Sequence, residues 1–127
     1  EFQWKICMEV LKNFQILVEK LNFRFAVVIL ATPAQTSAEF LAIRRSLGID
    51  IPDIALTDTR VNDRIMKFCQ QHKIQCIDTL EEIRDLTHLS KKQFFVVDGH
   101  PTSRGHSNFA LIIKRQLGNI SKRREFR

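Results

Sequence analysis

In the stretch VVDGHPTSRGH, Val96 to His106, Asp98 and His100 stand one residue apart, and a Gly-His pair, Gly105-His106, follows shortly after. A carboxylate and an imidazole held on a short glycine turn are the residue types of base catalysis. The Asp would fix the tautomer of the His and stabilise its protonated form, while the His takes a proton from a hydroxyl nucleophile. Two other chemistries use the same residues. Asp98, His100, His106 and His88 are metal-ligand types, although no His-Glu or Cys-pair spacing accompanies them. Asp-Gly ahead of a proline is also ordinary turn chemistry, in which a histidine only hydrogen-bonds a loop.

The elements that must position these residues are legible in the apolar pattern. Cys7, Val10, Leu11, Phe14, Leu17, Val18 and Leu21 keep the three-and-four spacing of an amphipathic helix from Phe2 to about Leu21. The run Phe25–Ala31, rich in β-branched residues and without alternation, suits a strand buried on both faces. Thr32-Pro33 ends it. Ser37 caps a short helix running to about Leu47, with Gly48 as its stop. Ile49–Thr57, which contains Pro52, is connector. Asp58 or Thr59 starts a helix with Val61, Ile65, Phe68 and Cys69 on its apolar face, ending near Gln71 or His72. Ile74–Ile77 is a second strand, leading through Asp78 and Thr79 to a helical turn over Leu80–Leu86. Phe94–Val97 is a third extended run. A last helix, capped by Thr102 or Ser103, spans Ser103 to Leu117.

This alternation predicts an α/β chain with parallel strands. If Phe94–Val97 is extended, Asp98 and His100 sit where open α/β sheets bind ligands, beyond the carboxyl ends of the strands. Three strands are few for such a sheet, so an open edge is expected, to be covered by upstream chain or by self-association. The first residue is Glu1 and the methionines are Met8 and Met66, which points to a segment of a longer chain.

Composition narrows the classes. Hydrophobic residues make up 44% and charged residues 27%, as in ordinary globular domains. The longest apolar run falls well short of the roughly 18 residues of a membrane span. Cys7, Cys69 and Cys76 cannot all pair, and two of them lie in apolar segments, so buried free thiols are expected rather than a disulfide framework. Of the net charge of +6, residues 121–127 carry +3, from four basic residues and one acid. The expected organisation is one domain over residues 1–120 with a basic tail over 121–127. No aromatic-and-basic stacking pattern accompanies the charge, so no specific nucleic-acid partner is expected.

Residues 94–117, FFVVDGHPTSRGHSNFALIIKRQL, resemble the last motif block of the SGNH (GDSL-type) esterase superfamily. There an Asp and a His precede a proline or leucine, and a Gly-His follows inside the final helix. The segments FAVVILATP, DRIMKFCQQHKI and QCIDT agree with the family in order. The resemblance implies a flavodoxin-like three-layer α/β/α fold around a parallel sheet, of which this chain holds the C-terminal portion with the sheet incomplete. It implies Asp98 and His100 as catalytic acid and base, no cofactor, and an ester or an acylated carbohydrate or lipid as substrate. Gly105 and His106 match the helix-start pattern without a catalytic role.

The chain also departs from the family. The usual spacing is Asp-x-x-His, whereas only Gly99 separates Asp98 from His100. No serine (Ser37, Ser46, Ser90, Ser103, Ser107 or Ser121) follows Gly-Asp, as the family's nucleophile does. The nearest string to the oxyanion-hole Gly-x-Asn-Asp is Arg60-Val-Asn62-Asp63, with arginine in the glycine position, and it is read as coincidence. The expectation is therefore the C-terminal part of an SGNH-type serine esterase or O-acyltransferase, inactive alone. The alternative is a non-catalytic interaction module on a degenerate hydrolase fold.

Overall fold

The structure, a computed structural model, describes residues 1–89 and 92–125, with side chains up to residue 119. It is a mixed α/β fold in which helices dominate and the sheet is a single parallel pair. Strand β1 (Ala26–Ile29) runs alongside β2 (Gln75–Asp78), in register from Ala26 opposite Gln75 to Ile29 opposite Asp78. A parallel pair needs a long crossover. Here it holds α2 (Pro33–Thr36), α3 (Ala38–Ser46), a 3-10 turn over Asp53–Leu56 and α4 (Arg60–Gln71). Helix α1 (Phe2–Lys20) precedes β1, and α5 (Leu80–Leu89) and α6 (Ser103–Glu125) follow β2.

Local chemistry sets most of these boundaries. β1 ends at Ile29, short of Pro33, which opens α2 because its fixed φ and missing N–H suit a first helical turn. The Gln35 side chain reaches back to the Thr32 N–H at 3.2 Å. Ser37 Oγ accepts from the Phe40 N–H at 3.1 Å and caps α3. Gly48 ends that helix as expected: at φ +81° its N–H reaches the Arg45 carbonyl, and the Ile49 N–H reaches that of Arg44. Before α4, Asp58 accepts from the Arg60 N–H and guanidinium, which holds its carboxyl down at about 2. Thr102 is the cap of α6, its Oγ1 accepting from the Gly105 N–H at 3.1 Å.

The core lies between the end of β1, α5 and α6. Ala31, Leu80, Ile83, Phe94, Phe109 and Ile112 form one buried cluster, in which the Phe94 and Phe109 rings meet edge to face at 6.0 Å. Thr79, wholly buried, ties the strand ends together. Its Oγ1 donates to the Ile29 carbonyl and accepts from the Ala31 N–H, both at 2.9 Å.

Four expectations are corrected. Phe94–Val97 is not a strand: Phe94 makes a single antiparallel bridge to Pro101, and Val96–Asp98 turn back. The Phe95 N–H donates to the His100 carbonyl at 2.8 Å and the Thr102 N–H to the Gln93 carbonyl at 2.9 Å. Closing this short loop orders far less chain than pairing with a strand about twenty residues away. Secondly, β1 is not sealed on both faces, because Ala26, Val27 and Val28 are only partly buried and Leu30 is exposed. Thirdly, α1 keeps the helical period but rests on Trp4, Met8, Leu11, Gln15 and Val18, leaving Val10, Phe14, Leu17 and Leu21 exposed. Fourthly, α6 runs past Leu117 to Glu125, so the basic run continues a helix. The side chains of that run, and Phe126 and Arg127 altogether, lie outside the described residues. Among the described residues, no helix is long and apolar enough to cross a membrane.

Candidate active site

Asp98 and His100 come together on the loop between α5 and α6. His100 Nδ1 lies 3.5 Å from Asp98 Oδ2, a charge-pair distance longer than a formed hydrogen bond. The other carboxylate oxygen, Oδ1, accepts from the backbone N–H of His100 at 2.9 Å. This is an Asx turn, in which a carboxylate caps the amide two residues on. The one-residue spacing therefore has a consequence: one carboxylate faces both the backbone and the ring of the same histidine. Both side chains are open to solvent, at 58% for Asp98 and 80% for His100.

The turn is shaped from outside. Gly99 adopts φ +77°, a region where side chains are strained. A Cβ there would also stand 3.1 Å from Pro33 Cγ and 3.2 Å from the Phe40 ring. The turn thus lies against the segment that leaves β1. On its other side, α6 packs so closely that a Cβ on Gly105 would fall 2.0 Å from the Gln93 carbonyl oxygen and 3.2 Å from Pro101 Cβ. Glycine at position 105 is a packing requirement that lets α6 start beside the turn. Gln93, almost fully buried, completes the joint by accepting from Asn108 Nδ2 at 2.8 Å.

The other candidates separate. His106 is exposed on the first turn of α6, its N–H bonded to the Thr102 carbonyl, and His88 is exposed near the end of α5. Among the described residues, no three His, Cys, Asp or Glu side chains form a metal-ligand group. The hydroxyls of Ser37, Ser46 and Ser107 are bonded locally, to Phe40 N–H and to the Ile43 and Ser103 carbonyls. Among the described residues, no hydrogen bond joins a serine hydroxyl to His100, and Ser90 lies outside them.

Asn62 has a role that motif reading misses. Only 3% exposed, it donates from Nδ2 to both carboxylate oxygens of Asp78 at 2.9 Å, while its Oδ1 accepts from Gln35 Nε2 at 3.1 Å. Its amide is spent on binding α2, α4 and the end of β2 together, so it does not serve as an oxyanion donor. A signal was present: Asn62, Ile65 and Cys69 share the i, i+3, i+7 spacing of one helix face. Cys69 is buried on that face, and burial together with the neighbouring Cys69 thiol pushes Cys76 up to about 12. No protein-family model, curated protein or solved structure matches this chain.

Proposed function

We propose that this chain is the C-terminal part of an SGNH-type serine esterase or O-acyltransferase, its two strands belonging to a larger flavodoxin-like sheet. The observation that carries the proposal is the Asp98–His100 pair on a turn wedged between the exit of β1 and the start of α6. With Nδ1 turned to Asp98, Nε2 of His100 is the nitrogen left for a hydroxyl. An upstream serine would lose its proton to Nε2 as it attacks an ester carbonyl. Asp98 would hold the tautomer and stabilise the imidazolium, and the acyl group would pass to water or to a sugar hydroxyl. The long Nδ1 contact suits a pair that tightens only when the nucleophile and substrate are in place.

The test has two arms. Residues 1–127 alone hydrolyse p-nitrophenyl acetate no faster than the His100→Ala variant, and a His100-dependent rate would overturn the claim that the nucleophile lies elsewhere. The reading frame upstream of Glu1, expressed with this segment, supplies a Gly-Asp-Ser block and a rate that His100→Ala abolishes. A frame without that block sinks the esterase assignment.

One observation favours a second reading, a non-catalytic interaction module. Phe2, Ile6, Val10, Phe14, Leu17 and Leu21 form an exposed apolar stripe on α1, larger than scattered surface residues explain. Sedimentation separates the two: a module gives one defined oligomer, whereas part of an enzyme gives a monomer or an ill-defined aggregate.

A further inference from the structure

Although the Asp98–His100 turn is exposed, one cation from α3 takes hold of its backbone. Arg44 donates from Nη1 to the Val97 carbonyl at 3.1 Å, the peptide group immediately before Asp98. Its guanidinium lies 5.4 Å from the centroid of the Phe40 ring, and that ring fills the space beside Gly99. Arg44 Nε is sealed from solvent, with no acceptor among the described residues. That donor loses its hydration without a partner, a cost set against the Val97 bond and the Phe40 contact made by the same head group.

We infer that Arg44 is a positioning residue for the acid and base pair. Fixing the Val97 carbonyl fixes the plane of the Val97–Asp98 peptide, and with it the direction in which the Asp98 side chain leaves the backbone. That direction decides whether one carboxylate can face both the N–H and the ring of His100. Arginine suits the task because its head group lies over the Phe40 ring, 5.4 Å from its centroid, while one of its donors reaches the carbonyl; a lysine keeps a donor but not the fixed fork. The catalytic meaning of this role rests on His100 being the base, as proposed above.

Amide hydrogen exchange by NMR on residues 1–127 tests it. The Gly99 and His100 amides, bonded to the Phe95 carbonyl and to Asp98 Oδ1, exchange about tenfold faster in Arg44→Ala, the size expected from losing one charged hydrogen bond. Core amides such as Ile77 and Ile83 keep their rates, and Arg44→Lys falls between the two. Unchanged exchange at Gly99 and His100 overturns the inference. Equal acceleration throughout the core also overturns it, because the role is then general stability. Should Arg44→Ala not fold, Arg44→Lys and Arg44→Gln carry the same comparison. The readout needs no ester hydrolysis. If the longer reading frame shows no His100-dependent activity while exchange responds as stated, the esterase proposal fails and the hold on the turn stands.

Discussion

Gly105→Ala and Gly118→Ala make the same change on the same helix and should move stability in opposite directions. At Gly105 the new Cβ would lie 2.0 Å from the Gln93 carbonyl oxygen, about 1 Å inside the 3.0 Å floor for such contacts. The obstacle is backbone, so α6 or the 93–102 loop must move. Overpacking of this kind costs about 1–3 kcal/mol. The shift also strains two bonds at about 1 kcal/mol each: Thr102 N–H to the Gln93 carbonyl (2.9 Å) and Asn108 to Gln93 Oε1 (2.8 Å). Alanine's helix propensity returns about 1 kcal/mol. The net expectation is a loss of about 3 kcal/mol, or about 12 °C in Tm at roughly 4 °C per kcal/mol for a domain of this size. At Gly118 nothing lies within 4 Å, so propensity acts alone and Tm rises by up to about 4 °C. Urea titration and thermal melting followed by circular dichroism at the helical band read both. A Gly105→Ala protein as stable as the parent would refute the close approach of α6 to Gln93, and with it the placement of the turn.

Two further outcomes follow from the buried groups. Asn62→Ala removes the amide facing both oxygens of Asp78 and should cost about 2–3 kcal/mol in urea titration; Asn62→Asp should be worse at pH 7 than near pH 4, where protonation of one carboxyl restores a donor, and an equal penalty at both would count against the network. With the half-buried Cys76 pushed up to about 12, roughly one thiol in ten thousand is ionised at pH 8, so iodoacetamide should label exposed Cys7 in the native chain far faster than Cys76; labelling of Cys76 as fast as Cys7 in the folded chain contradicts its raised thiol.

Legibility in the sequence followed the range of the interaction. Caps and stops were readable because they act over three or four residues: Ser37 on Phe40, Gly48 on Arg45, Thr102 on Gly105. Both strands of the sheet were readable from β-branched runs, to within a residue or two at each end. Phe94–Val97 carried the same signal and failed, because composition reports that a segment is apolar and extended but not where its hydrogen bonds go. The Asp-Gly turn and Pro101, which lacks an N–H, folded it back on itself. Pro33 was read as the end of a strand, but β1 stops at Ile29 and Pro33 starts a helix, for which its fixed φ is equally suited. In α1 the period was visible and the partner was not, so five of the seven residues expected on the inner face, Cys7, Val10, Phe14, Leu17 and Leu21, point outward. The roles of Gly105, Asn62 and Arg44 depend on groups 12, 16 and 53 residues away; local spacing places Asn62 on a buried helix face, but no local pattern names any of these partners.

The Asp98–His100 pair divides the two functional readings more sharply than the fold does. An interaction module has use for an Asx turn, which needs only Asp98 Oδ1 and the His100 N–H, and asparagine at position 98 would serve it equally well. It has no use for the imidazole facing the second carboxylate oxygen, nor for the Arg44 Nη1 donor held on the carbonyl before it. A hydrolase needs all of these, because a base is effective only when its tautomer and direction are set before the substrate arrives. Among the described residues no serine hydroxyl bonds to His100, and the Asn62 amide, which could have stabilised charge developing on a substrate, is committed to Asp78. Under the proposed esterase reading, the hydroxyl and the oxyanion donors would have to come from outside the described residues, which is what the two-arm test above asks.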